Sequence, residues 1–351
     1  MAGVAVLDFF AQHTWPQSTS DKVLNMKLKT LIAAVSLAAF GAVNAADYEV
    51  PRTEWDQPDL QGVWNFSSNI PMSRPAMFGN NEYMTQEQAD MLASYVEKQY
   101  EELNNDGVGG YNTFWVEQAG RGDNLRTSLI TYPENGQVPE RVEGVVVQVG
   151  GLGPDIEGER PVRLVVGGIG KDSYEDRGIS ERCIVGFNSG PPFTPSMYNN
   201  NVQIVQSKDT VVIMTEMIHD ARIVSLNKEA HVDDDIRLWT GDSRGYWDGD
   251  TLVVETRNFN DLTQSFSVFG SAKDKFLTER FTRVDEFTVD YEFTVEDPST
   301  FKDKIVARVP MSKVDGQMYE YACHEGNYGM TNILRGERME EARAAAGESG
   351  E

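Results

Sequence analysis

Cysteine and histidine are scarce in this 351-residue chain, which holds two of the first and four of the second. No C-x-x-C or H-x-x-x-H spacing occurs, so no Cys–His metal site is expected. Basic residues are also few. Lys and Arg number 31 against 55 Asp and Glu, giving a formal net charge of −24. Such a surface repels nucleic acid and anionic lipid, so neither is expected as a partner. No G-x-G-x-x-G run follows a strand, and neither a P-loop nor H-E-x-x-H occurs. No serine is read as a nucleophile elbow. Nucleotide cofactors, phosphoryl transfer, zincin chemistry and common serine hydrolysis are therefore disfavoured, and no organic cofactor or metal is expected.

An uncharged apolar run as long as the roughly 20 residues of a spanning helix is missing too. The stretch Leu31 to Ala42 is shorter, and it has the surroundings of an export signal. Met26 precedes it, Lys27 and Lys29 form a positive n-region, and Val43-Asn44-Ala45 places small residues before Ala46. Asp47 and Glu49 follow at once, so no membrane insertion is expected after cleavage. The alternative is a buried helix. On the export reading, residues 1–25 are a mis-assigned extension, 26–45 are the signal peptide, and the mature chain starts near Ala46 in the periplasm or outside the cell. In such a compartment Cys183 and Cys323 are expected to pair. The alternative is two free buried thiols. Closing so long a loop contributes on the order of 4–5 kcal/mol by the chain-entropy argument.

The mature chain of about 300 residues has an ordinary apolar content, and 40% of the whole sequence is hydrophobic. One domain is expected over 46–338, with a flexible charged tail over 339–351. Thr85 and Gln88 form a capping box ahead of Ala89, Leu92, Val96, Tyr100 and Leu103 at helical spacing, which predicts one amphipathic helix over 85–103. The rest reads as strands: Val145–Val147, Val162–Val166, and Val202–Val205 with Thr210–Met214 around a Ser207-Lys208-Asp209 turn. Gly245-Tyr246-Trp247 and Thr251–Val254 flank Asp248-Gly249, the strongest short hairpin signal. Thr288–Val295 alternates apolar and polar residues, and Lys304–Val309 and Gln317–Cys323 continue the series. The fold class is mainly β: an antiparallel meander closed into a barrel or sandwich. Glu279 alternates with Leu277 and Phe281; a solvated edge is favoured there over an inward carboxylate.

Three segments look unlike scaffold. The first runs from Arg177 through Glu181-Arg182-Cys183 and a Gly/Pro-rich stretch to Asn199-Asn200-Asn201. Its Arg182, Glu181 and three amides suit a carboxylate or polyhydroxylated ligand, although such a loop can also satisfy only its own backbone. The second, Glu216 to Arg222, carries His219, with Asp220 and Arg222 as candidate substrate-binding residues. Glu216 and His219 are read on a strand, facing opposite ways, and His219 is either a proton carrier or a structural residue tied to Asp220. The third, Tyr319 to Gly329, carries Tyr321, His324 and Glu325. His231 sits beside three aspartates and is read as part of an exposed loop. A Cys183–Cys323 bond would bring the first and third segments together.

Asp59-Leu60-Gln61-Gly62-Val63-Trp64 contains the Gly-x-Trp that opens lipocalin-like barrels. Together with Arg126-Thr127-Ser128-Leu129-Ile130, Glu181-Arg182-Cys183 with Tyr198-Asn199-Asn200-Asn201, Gly241-Asp242-Ser243-Arg244-Gly245 and Tyr321-Ala322-Cys323-His324-Glu325-Gly326-Asn327-Tyr328, it resembles a family of exported hypothetical proteins of soil and marine bacteria. The resemblance spans nearly all of the mature chain and implies export and a shared fold, with no reaction. The residues themselves point to an exported protein that binds a small organic or carbohydrate-like molecule, either as a cofactor-independent acid/base enzyme (lyase, isomerase or hydrolase) or as a lipocalin-like binder. In the enzyme, His324, His219, Tyr321 and Glu325 carry protons, and Arg182 anchors substrate oxygen. A structural envelope role is the remaining alternative.

Overall fold

The computed structural model describes residues 48–105, 125–145 and 171–347. Val50–Glu351 forms one compact unit. Its ten strands among the described residues are β1 Gly62–Asn65, β2 Ile130–Tyr132, β3 Asn201–Gln206, β4 Thr210–Thr215, β5 Ala221–Ser225, β6 Asp242–Asp248, β7 Thr251–Arg257, β8 Phe276–Arg283, β9 Thr288–Glu296 and β10 Ile305–Val314. From β3 to β10 each strand pairs with the next, and β1 closes the circle by pairing with both β3 and β10. The result is a nine-stranded barrel and not a sandwich. It has one strand more than the eight of a lipocalin. The short β2 pairs with β10 across a register shift near Val306. All neighbours are antiparallel except β5 and β6, which touch in parallel at Ser225 and Arg244. Gly245 permits that approach: a Cβ there would lie 2.7 Å from Val224 Cγ1.

Strand direction separates the two ends of the barrel. One end is closed by the tight turns 207–209, 249–250 and 284–287. The other carries the 186–200 loop that enters β3, the 216–220 turn, the long 258–275 loop and the 297–304 loop. Functional loops gather where long connections gather, because the sheet beneath fixes their ends.

Alternation decides which side chains turn inward. In β9, Val289, Tyr291, Phe293 and Val295 are buried while Thr288, Asp290, Glu292 and Thr294 are partly open. β8 follows the same rule with Leu277, Glu279, Phe281 and Arg283. Glu279 is therefore an interior residue, 0% exposed, and not a solvated edge. The bore is filled. Phe66, Phe193, Tyr291, Phe281 and Phe293 form a continuous aromatic series with ring centroids 4.9 to 5.7 Å apart. Each such buried side chain contributes about 1.5–3 kcal/mol by leaving water.

Both hairpins expected from turn chemistry form, and Gly249 takes the positive φ that its two-residue turn requires. Among the described residues two α-helices lie outside the sheet. Helix α1 is Gln86–Asn105, with Gln88 N–H donating to Thr85 Oγ1 and Thr85 N–H donating to Gln88 Oε1. Its Ala89 and Leu92 remain half-exposed. Helix α2 is Tyr328–Ala345. It corrects two expectations. The stretch 317–323 is not a strand but irregular chain that turns at 323–326 into α2, and the stretch from Met339 to Ala345 is helical. Residues 1–47, the strand expected over Val162–Val166 and most of that over Val145–Val147 lie outside the described residues.

Candidate functional site

The three unusual segments meet around the 183–201 loop at the long-loop end. Cys183 and Cys323 form a disulfide with Cα atoms 5.8 Å apart across 140 residues of sequence. Asn327 strengthens that link by donating to the Glu181 carbonyl at 2.8 Å. The first and second segments also touch. Gly186 has no room for a side chain, because a Cβ would lie 2.6 Å from Met217 Cγ. Asn201 donates to Glu216 Oε2 at 2.9 Å.

Side chains within these segments divide into two groups. Several are used by the loop itself. Glu181 is held by Arg177 through two bonds of 3.1 and 3.2 Å and accepts from Gly178 N–H. Asn200 is buried and knotted to Ser196, and Asn201 is shared between Asn65 and Glu216. Asn199 is half-buried in a positive-φ turn. The others face outward. His219, His324 and Glu325 are exposed, Tyr321 is half-buried, and Arg182 lies half-buried with its guanidinium over the Tyr174 ring at 5.5 Å. Among the described residues no hydrogen bond joins His219 to His324.

The second segment is not the strand that its sequence suggests. β4 ends at Thr215, and Met217–His219 forms a 3-10 turn in which Ile218 and His219 both have positive φ. This turn throws His219 outward while Asp220 is half-buried. Burial raises the Asp220 carboxyl above its ordinary value, against the attraction of Arg222 and a hydrogen bond with Thr240.

Arg222 then turns inward. It is buried and makes a two-pronged ion pair with Glu279, Nη1 to Oε2 at 2.5 Å and Nη2 to Oε1 at 3.0 Å. Burial works against the guanidinium charge, but Glu279 outweighs it and raises the Arg222 value. Tyr291 donates to Glu279 Oε1 at 2.8 Å and accepts from Phe193 N–H at 3.2 Å. Burial, then the Glu279 charge, pushes the Tyr291 phenol well above its usual value. Phe193 comes from the 186–200 loop, and Pro191 of that loop accepts a hydrogen bond from buried Lys275. The loop is thus a plug seated in the barrel mouth, pinned by polar groups on β5, β8 and β9. Arg222, expected to bind substrate, instead anchors the interior. Beside the plug, Phe187, Pro192, Thr194, Gln264, Ser265 and Phe266 line a crevice of about 50 Å³, room for a few waters.

One run that the sequence reading passed over is formally G-x-S-x-G: Gly241-Asp242-Ser243-Arg244-Gly245. It lies on strand β6, not on the strand-to-helix elbow that such a nucleophile needs. Ser243 turns inward to Thr256 at 2.9 Å, whereas Asp242 faces the other side of the sheet. There Asp242 accepts from Arg244 at 2.7 Å and pairs with His231 Nδ1 at 2.8 Å. Serine and histidine are on opposite faces, so no triad is built. His231 is accordingly hydrogen-bonded to Asp242, which also holds Arg244, and is not a free loop residue. Among the described residues no group of three His, Cys, Asp or Glu side chains could hold a metal ion, and no helix is long and apolar enough to cross a membrane. Neither a protein-family model nor a curated protein matches the chain.

Proposed function

We propose that this chain is an exported protein that binds a small organic or carbohydrate-like molecule at the loop-bearing rim of its barrel. One observation carries the reading: the three segments singled out by composition adjoin one another at that rim, tied by the Cys183–Cys323 bond and by Gly186 against Met217. The filled bore argues against a lipocalin-like cavity, so the ligand sits on the rim, where Arg182, His219, Tyr321, His324 and Glu325 supply polar contacts. A disulfide suits the oxidising compartment that an export signal leads to. The rim makes this more than an envelope scaffold, which would need no such cluster.

Asp220 favours a catalytic form of the same reading. A carboxyl held above its ordinary value by burial, beside an exposed histidine, is the arrangement general acid/base chemistry uses. A thermal-shift screen of the mature chain (residues 46–351) against sugars and aromatic acids tests the proposal. A hit whose stabilisation is lost in Arg182→Ala or His324→Ala, with the unliganded melting temperature unchanged, supports it. Hits equally strong in both variants refute it.

A further inference from the structure

Among the described residues no charged side chain lines the crevice beside the plug, although the chain carries a net charge of −24. The 186–200 loop supplies one wall with Phe187, Pro192 and Thr194. The 258–275 loop supplies the other with Gln264, Ser265 and Phe266. Ser265 is 1% exposed, and its Oγ is buried with no partner. A hydroxyl shut away without a hydrogen bond is unfavourable until a guest completes it.

Both walls are held before any guest arrives. Thr194 N–H donates to Asn188 O at 3.1 Å, and Lys275 Nζ fastens Pro191 by its carbonyl. Phe187 stands edge-on to Tyr198 with ring centroids 5.7 Å apart. On the other side, Ser265 N–H donates to Phe269 O and Phe269 N–H donates to Phe266 O, each at 3.1 Å. The Phe266 ring packs on Phe293 of β9 at 6.0 Å. The crevice is therefore preformed, as small-molecule sites usually are.

Size and lining together choose the guest. A volume of about 50 Å³ is room for roughly three or four waters. A whole sugar ring does not enter, but one of its arms does. A carboxylate or phosphate would meet no cation there, and an ammonium would meet no carboxylate. A bare methyl would leave Ser265 Oγ unanswered. A primary alcohol meets both demands: its CH₂ lies against Phe187, Pro192 and Phe266, and its hydroxyl both donates and accepts.

We infer that the crevice takes the hydroxymethyl arm of a neutral sugar whose ring rests on the rim outside. The inference rests on the rim reading and narrows it, from organic or carbohydrate-like molecules to uncharged hexoses and their glycosides.

The test sets the mature chain against pairs of methyl glycosides that differ only in that arm, with dissociation constants read by NMR titration. Methyl β-glucoside is paired with methyl β-xyloside, and methyl β-galactoside with methyl α-L-arabinoside. At least one hexoside is expected to bind about tenfold more tightly than its pentoside partner, the worth of one buried CH₂ and one hydrogen bond. Methyl β-glucuronide, which carries a carboxylate in place of the arm, is expected to bind no better than the xyloside. Ser265→Ala should cut the hexoside preference about fivefold. Its melting temperature should hold or rise, because the variant loses an unanswered buried hydroxyl. Equal binding within both pairs, or binding of no glycoside, overturns the crevice assignment. So does a preference that Ser265→Ala leaves intact, or a glucuronide that binds as well as the preferred hexoside. None of these outcomes touches the rim reading, which falls instead when hits ignore Arg182→Ala and His324→Ala.

Discussion

Removing the Glu279 carboxylate would leave the Arg222 guanidinium buried without its counter-charge, and that asymmetry makes the pair testable. Glu279→Ala is expected to cost about 3–5 kcal/mol. Tyr291→Phe removes only the hydroxyl that joins Glu279 to Phe193 N–H and should cost about 1–3 kcal/mol. At about 2–4 °C per kcal/mol for a chain of this size, scanning calorimetry separates the two. Equal, negligible shifts would contradict an interior ion pair. Asp220 behaves in the opposite sense. Its carboxyl is raised in the folded state, so folding favours the protonated form. That contribution is present below the ordinary carboxylate range and lost as pH rises through the folded value. Asp220→Asn should therefore melt above wild type at pH 7, with the gap closing as pH falls below 4; a variant that melts lower at pH 7 contradicts the assignment. Neither residue was legible from sequence in this role. Glu279 obeys strand alternation, which does point it inward, but alternation alone does not reveal the arginine waiting across the barrel.

Elements whose signal is local were legible. The 249–250 and 207–209 turns name their own hairpins, and β9 alternates without interruption. Elements fixed by distant contacts were not. Tyr319, Tyr321 and Cys323 alternate as a strand would, yet no neighbouring strand edge receives them. Instead the stretch is irregular up to the disulfide at Cys323, and Asn327 caps α2, its side chain accepting from Met330 N–H. Gly336 within α2 and the half-exposed Met330, Ile333 and Leu334 weaken its helical pattern, which hid it. The disulfide thus anchors α2 and the third segment to the plug loop. Cys183→Ser/Cys323→Ser is expected to lose about 2–5 kcal/mol and to raise proteolytic cleavage between 315 and 345 first. Cleavage elsewhere in the chain, with 315–345 still protected, would show that the bond is not what holds this region.

At the scale of the molecule, a barrel filled by its own aromatic residues and sealed by a plug has no bore to offer a ligand. Its tight-turn end is covered by the segment entering β1, where Arg52 pairs with Asp250 and Gln57 donates to Lys208 O. The long-loop end therefore carries the segments on which the proposed rim site rests, joined there by the Cys183–Cys323 disulfide. The sequence pattern supported a closed β-meander and the pairing of its two cysteines. It could not show the ninth strand of the closure, the parallel β5–β6 seam or the plug, because each depends on chain ends meeting in space. The most direct measurement is a crystallographic fragment screen of the mature protein, using small sugars and hydroxy acids and mapping where they settle. The account predicts that they cluster on the rim formed by residues 177–201, 216–222 and 319–329, in contact with Arg182, His219 or His324. Fragments found inside the barrel beneath Phe193, or scattered with none on that rim, would contradict it.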